Sequence, residues 1–259
     1  MRLLIVTVAG IARRFNASVD SKKKIIKCLY NEGNMKRSLL YRLFHNFPDM
    51  DKYIIVGGYE FGELKKTLDR ENCFEEYRER MTLVNNEDYE KYGSGYSLYK
   101  GLEEALKYDA HEIIFAEGDL YVDRESCERI SKAGKNILTV NNDPILASKA
   151  VALYMDTQGR VHYIYDTEHG TLQINQPFTA IFNSGQIWKF VDGDRVRRVF
   201  NKLSESRWQN TNLEYIQEYF GELSGHEYEV VPFCNWINCN TIDDYRKISE
   251  LEGNNEVYE

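Results

Sequence analysis

The chain has 259 residues, 42% of them hydrophobic and 13% aromatic, with only 4 prolines. That is enough apolar material for one large domain, or one domain with a small insert, and it excludes a disordered chain. A formal net charge of -8 excludes a general electrostatic grip on nucleic acid or on an anionic membrane, so a phosphate-bearing ligand needs a local basic pocket. The densest basic cluster is Arg13, Arg14, Lys22, Lys23, Lys24 and Lys27.

Leu3 to Val8 is a continuous apolar run with β-branched residues, as in a strand buried on both faces. It stops at Gly10 and meets Arg13 and Arg14 without a small-residue cleavage site, so it reads as a strand and not as a leader. A helix is expected from Ser38 to Phe47, ending before Pro48, then a strand from Tyr53 to Val56 closed by Gly57 and Gly58. Helices follow over Phe61 to Leu68 and Cys73 to Arg80, with a third strand from Met81 to Val84. Gly93, Ser94 and Gly95 open a helix from Tyr96 to about Leu106, and Glu112 to Ala116 is a fourth strand ending on Glu117, Gly118 and Asp119. This alternation predicts a mostly parallel α/β sheet with helices on both faces.

The second half is β-rich. Ala150 to Met155 and Val161 to Tyr165 read as a hairpin around Asp156 to Gly159, and Phe178 to Phe182 as a further strand. Helices are expected over Gln186 to Leu203 and Asn212 to Phe220, a strand over Val230 to Phe233, and a last helix from Thr241 with Asp243 and Asp244 in its first turn. With no repeat and no clear linker, the reading is one domain, residues 1–145 forming a nucleotide-binding half and 146–259 an acceptor-binding half. No run approaches the roughly 20 apolar residues of a membrane span. Five scattered cysteines (Cys28, Cys73, Cys127, Cys234, Cys239) point to a reduced, cytoplasmic protein.

Ligands of an open parallel sheet bind beyond the carboxyl ends of its strands, and three features fall at such ends. The loop Val8 to Phe15 carries small residues at Ala9, Gly10 and Ala12 that would let backbone N–H groups approach phosphates, with Arg14 and Lys27 to neutralise them. It has neither a Walker sequence nor a dinucleotide fingerprint, and a tight turn with solvated charges accounts for it equally well. The segment Gly93 to Leu98 offers helix N–H groups and serine hydroxyls, or simply a helix cap. Glu117-Gly118-Asp119 ends a strand beside the phosphate loop, where Mg²⁺ would be held by one or two protein oxygens and by substrate phosphates.

Together these segments resemble the sugar-phosphate and alcohol-phosphate nucleotidyltransferases, and most of all their phosphocholine cytidylyltransferase branch. Thr7 to Arg14 stands where that family has Leu-Ala-Ala-Gly-x-Gly-x-Arg, and Ile26-Lys27-Cys28-Leu29 where it has Pro-Lys-Cys-Leu. Val56-Gly57-Gly58-Tyr59, Tyr96-Ser97-Leu98-Tyr99 and Glu117-Gly118-Asp119 follow in the family's order, and Asn238 to Tyr245 is similar to Glu-Ile-Asp-Thr-x-Glu-Asp-Leu. Val8, Ala12, Ile26 and Asn240 depart from the pattern, Asn240 replacing a second metal-binding aspartate.

The resemblance implies a Rossmann-like nucleotidyltransferase sheet and an Mg²⁺-dependent enzyme that couples a nucleoside triphosphate, CTP by preference, to a small phosphorylated or phosphonate acceptor. It implies Arg14 and Lys27 as catalytic, Val8, Ala9, Gly10, Gly58 and Ser97 as nucleotide-binding, and Asp119 and Asn240 as metal ligands. Such chemistry serves cell-surface polysaccharide biosynthesis, and no nucleic acid or membrane partner is implied. Two alternatives stand beside it, a non-catalytic nucleotide-binding relative and a nucleotide-sugar glycosyltransferase. Trp188, Trp208, Trp236 and Tyr154 are candidates for a box around a quaternary ammonium, although core packing accounts for each one singly. Cys234 and Cys239 lack the partners of a zinc site, and His169 beside Gly170 is given no role. Oligomeric state is not fixed by the sequence.

Overall fold

The computed structural model describes residues 1–19, 24–147, 151–165 and 171–255. The expectations on Lys22, Lys23, His169 and Gly170, and the start of the strand at Ala150, lie outside them. Strand β1 (Arg2–Thr7) is followed by the short helix α1 (Arg13–Ser18), then α2 (Leu39–Asn46), β2 (Lys52–Gly57) and α3 (Phe61–Arg70). The helical stretch expected over Cys73 to Arg80 is a 3₁₀ helix, Asn72–Arg80, ahead of β3 (Met81–Asn85). Next come α4 (Ser94–Ala105), β4 (Glu112–Glu117), β5 (Leu120–Val122), α5 (Arg124–Lys132) and β6 (Asn136–Asn141). The second half adds β7 (Ala152–Asp156), β8 (Val161–Ile164), β9 (Phe178–Phe190), α6 (Gly193–Lys202), α7 (Glu205–Trp208) and α8 (Leu213–Phe220). It closes with β10 (Tyr228–Pro232), β11 (Trp236–Asn238) and α9 (Ile242–Asn255).

The main sheet runs β10-β6-β9-β4-β1-β2-β3, with β7 on β9 and β8 on β7. β1 to β4 pair in parallel, as do β6 and β10, while β9 is antiparallel to β4, β6 and β7. The parallel core follows from the buried runs. Leu3, Leu4, Ile5 and Val6 are all 0% exposed. Leu3 and Ile5 pack on one face with Leu98 and Leu102 of α4, and Leu4 and Val6 on the other with Leu40 and Leu43 of α2. Alternation along a strand thus feeds two cores, each side chain contributing about 1.5–3 kcal/mol of burial. Ser38, expected within the helix, instead caps α2 by accepting from Tyr41 N, which satisfies one of the free amides of its first turn. No helix among the described residues is long and apolar enough to cross a membrane.

Residues 186–190, expected to begin a helix, are the end of β9, and α6 starts only at Gly193 behind its cap Asp192. Lys189 disguises the strand. Its side chain is 0% exposed, and its Nζ donates to the carbonyls of Ile130, Ser131 and Ala133 at the end of α5 while pairing with Glu112 at 2.9 Å. A charge so satisfied can be buried, and it makes a two-face-buried strand look amphipathic. The sequence pattern also assigns nothing to β5, α5, β6 and β11, which lie between or beyond its anchors.

Candidate active site

The exits of β1, β2 and β4 are stapled together. Val8 N donates to Val56 O at 2.8 Å, Tyr59 N to Ala9 O at 3.0 Å, and Gly118 N to Thr7 O at 3.0 Å. A side chain at Gly118 would put its Cβ 2.3 Å from Val8 Cγ1, so only glycine admits this approach. Beyond the staple, Val8, Ala9, Gly10, Ser97 and Asp119 line a cavity of about 250 Å³. Gly10 has no atom within 4 Å of where a Cβ would stand, so its backbone is open. Gly58 is not in the wall. It stands behind Tyr89, whose side chain would lie 2.7 Å from a Cβ there and whose ring is carried into the lining.

Ala12, in the place of the family's second loop glycine, takes the left-handed conformation with φ 53° and ψ 48°. An alanine held there costs about 1–2 kcal/mol. Asn16 holds the loop regardless. Its Nδ2 donates to the carbonyls of Ile11, Ala12 and Ile25, and its Oδ1 accepts from Ile25 N.

The start of α4 differs from expectation. Gly93 N donates to Gln209 O at 2.8 Å and Gly95 N to Asn210 O at 3.0 Å, and a Cβ at Gly93 would lie 2.1 Å from Asn210 O. The small residues therefore serve a close backbone approach to residues 209–211, and two of the amides expected for a ligand are already used. Ser97 lines the cavity, its hydroxyl accepting from Asn86 Nδ2 at 3.0 Å.

Four predicted residues meet at the cavity's mouth. Lys27 Nζ donates to Asp119 Oδ2 at 2.8 Å, and Arg14 Nη2 donates to Asn240 Oδ1 at 2.9 Å. The β5–β11 ladder, extended by Cys239 N donating to Asp119 O at 2.9 Å, brings Asp119 beside Cys239, the neighbour of Asn240 in the chain. All four border one space of about 210 Å³. Of the basic cluster, Lys24 turns away to Glu60 at 2.6 Å.

Among the described residues no three His, Cys, Asp or Glu side chains gather as a metal site. Asp119 Oδ1 is nonetheless buried without a hydrogen-bond partner among the described residues. A carboxylate oxygen left open beside an amide oxygen fits a hard divalent cation that takes its other ligands from water and phosphates, as Mg²⁺ does.

The sequence reading names Glu117 only as part of the strand-end acidic pair, and it misses Asn212 as a site residue. Glu117 ends β4 in the cavity wall, and burial, reinforced by the charge of Asp119, pushes its carboxyl up to about 7, while a hydrogen bond from Asn212 Nδ2 at 2.7 Å opposes the rise. Asn212, 2% exposed, also donates its backbone N–H to Ser94 Oγ at 3.1 Å and so ties α4 to β4. It reads in the sequence only as a helix start, and no local pattern marks it.

The aromatic box is not assembled. Trp188 and Trp208 are core residues at 0% and 4% exposure, and Trp188 Nε1 donates to Tyr163 Oη. Tyr154 stacks on His162 in a separate cavity, leaving Trp236 to line another. Cys239 is buried, its thiol pushed up to about 12 by burial, and Cys234 is exposed.

Residues 23–252 match the family described as "Domain of unknown function (DUF6564)". No curated protein matches the chain by sequence. Among solved structures, the chain is similar to the inositol-1-phosphate CTP transferase from T. maritima, with 17% identity, a TM-score of 0.64, and 97% of this chain and 96% of that one covered. It is similar to the CTP:phosphocholine cytidylyltransferase LicC from Streptococcus pneumoniae, with 16% identity, a TM-score of 0.63 and coverage of 97% and 99%. A putative glucose-1-phosphate thymidylyltransferase from Bacillus anthracis gives 13% identity, a TM-score of 0.67 and coverage of 97% and 95%. The fold is that of the nucleotidyltransferases, as the motifs implied.

Proposed function

For a chain that belongs to the DUF6564 family and carries a nucleotidyltransferase fold, we propose that it moves a nucleotidyl group from a nucleoside triphosphate to a small phosphate or phosphonate monoester and releases pyrophosphate. The observation that supports this reading is the convergence of Arg14, Lys27, Asp119 and Asn240 on one space, at the edge of the cavity floored by Val8, Ala9 and Gly10.

The triphosphate lies along the open backbone of that loop, with Ser97 and the Tyr89 ring, backed by Gly58, bordering the base. CTP is the donor the motif likeness favours. An acceptor oxygen attacks the α-phosphorus in line, the bond to the β-phosphate oxygen breaks, and pyrophosphate leaves with the electron pair. No covalent enzyme intermediate is needed, so positioning and charge stabilisation are the protein's work. Lys27 offsets charge at the α-phosphate and Arg14 holds the departing pyrophosphate. Mg²⁺, when bound by Asp119 and Asn240, supplies further positive charge to the phosphates. The acceptor lies in the neighbouring cavity of about 590 Å³, which Arg14 and Asn240 also line, and a cytoplasmic enzyme of this type has both substrates at hand.

Removing a cation that stabilises the transition state costs on the order of 100-fold or more in rate. Lys27→Ala should therefore lose most pyrophosphate release, in a screen of four ribonucleotides against phosphorylated acceptors, while its melting temperature stays near wild type. Unchanged turnover would sink the assignment. A second reading, a nucleotide-binding relative without turnover, is favoured by the neutral Asn240, and CTP binding without release with every acceptor would select it.

A further inference from the structure

The neighbouring cavity has one wall built by an irregularity of β9. Between the pairs Leu138–Trp188 and Val140–Ser184, three residues of β9, Gly185, Gln186 and Ile187, face the single Thr139 of β6. Gln186 sits there at φ 58°, a left-handed conformation that costs a glutamine free energy. Four neighbours hold it. Thr139 Oγ1 donates to Ile187 O at 2.7 Å and accepts from Ile187 N at 3.1 Å. Ser184 Oγ accepts from Gln186 N at 3.2 Å, and Trp236 Nε1 donates to Gly185 O at 2.8 Å. A Cβ on Gly185 would stand 2.5 Å from the Phe233 ring, so the chain is fixed from both sides.

Bulges of this kind re-aim a side chain, and a non-glycine residue kept in a strained conformation by its surroundings is a pointer to function. Gln186 is 4% exposed and in the cavity wall. Its Oε1 accepts from Asn238 Nδ2 at 3.4 Å, and its Nε2 has no partner among the described residues. Around it the wall offers three more amides, Asn183, Asn238 and Asn240, and one ring, Trp236. Of the two carboxylates, Asp244 is already engaged by Thr241 N and Thr241 Oγ1, both at 2.8 Å, leaving Asp143. A wall of amide donors and acceptors matches hydroxyl groups. A quaternary ammonium would need several rings around it, and this wall offers one.

We propose that Gln186 is a specificity-determining residue and that this cavity takes a polyhydroxylated phosphate monoester, a polyol or sugar phosphate, with its phosphate toward the space that Lys27 and Asp119 border. The inference rests on the nucleotidyltransferase reading and narrows its acceptor. The test measures pyrophosphate release by the full chain with Mg²⁺, CTP and either glucose 1-phosphate, glycerol 3-phosphate or phosphocholine. Turnover should favour the two hydroxyl-rich acceptors. Gln186→Gly, which relieves the strained backbone while removing the amide, should raise the acceptor KM roughly tenfold or more, with the nucleotide KM unchanged and a melting temperature no lower than wild type. Gln186→Leu, which keeps the bulk, should do the same to KM. Preference for phosphocholine, or acceptor KM values unmoved in both variants, overturns the proposal. Calorimetry with the same three acceptors, with and without a non-hydrolysable CTP analogue, reads the cavity independently of turnover. Hydroxyl-rich phosphates that bind wild type and not Gln186→Gly support it even where no nucleotide is consumed, which would be a failure of the wider reading alone. Binding by none of the three, or equal binding by both proteins, overturns it.

Discussion

The two cavities share Arg14 and Asn240 yet are made in different ways. The first is walled largely by the exits of parallel strands, and Val8, Ala9, Gly10, Glu117, Gly118 and Asp119 each follow within a few positions of a buried apolar run. The second is walled by an irregularity inside an antiparallel strand and by residues of α1, of the segment after β6 and of β11 to α9. Parallel strand ends are local events, written next to the strand that makes them. A bulge is a relation between two strands whose paired residues, here Val140 and Ser184, are far apart in the chain.

The comparison breaks down if the two halves fold apart, and Trp188 is the residue that tests this. It lies at 0% exposure in β9, stacks on Phe115 of β4 at 5.2 Å and bonds Tyr163 of β8. Trp188→Ala should cost about 3–5 kcal/mol and keep one denaturant transition, followed by circular dichroism. Two separate transitions would mean two independently stable halves.

A smaller effect is expected at the tie between the halves. Asn212→Ala leaves the Glu117 carboxyl without its amide donor and should cost about 1–3 kcal/mol. The pH dependence gives a second measurement. Glu117 moves from an ordinary 4.5 to about 7 in the folded protein, so between these values the folded state holds more protons than the unfolded one. Stability from this residue is greatest at acid pH and falls as pH rises through that window. Melting of the metal-free protein should show this slope, and Glu117→Gln should flatten it. Parallel profiles for the two proteins would mean that Glu117 is not buried as described.

The smallest effect sharpens the account of the first cavity. Ala12→Gly relieves about 1–2 kcal/mol of left-handed strain and returns about 0.4–1 kcal/mol of chain entropy to the unfolded state. A net gain of about 0.5–1 kcal/mol is expected in chemical denaturation. A loss would show that Asn16 has already removed the strain.

What the sequence discloses follows the same division. Leu3 to Val8, Tyr53 to Val56 and Glu112 to Ala116 are strands buried on both faces, and their composition alone places them, with the Val8 to Gly10 loop and Asp119 at their ends. Asn240 was reachable only through its likeness to a family motif, since β11 is three residues long. Gln186 was placed in a helix because Lys189 lends its strand a polar beat, and nothing near it in sequence discloses the hydroxyl of Thr139 that completes the bulge. Asn212 carries no periodic signal, and its partner Glu117 is 95 residues away.

The position of β9 also sets an order of events on the ribosome. β4 and β6 are not hydrogen-bonded to each other, and β9 fills the gap between them. Until the chain has been made as far as Phe190, β4 keeps an open edge, while β6 waits for both of its partners, β9 and β10. Open strand edges invite pairing with other chains. Between synthesis of Asn141 and Phe190 the nascent protein thus carries open edges on both β4 and β6, the interval in which mispairing with another chain is easiest.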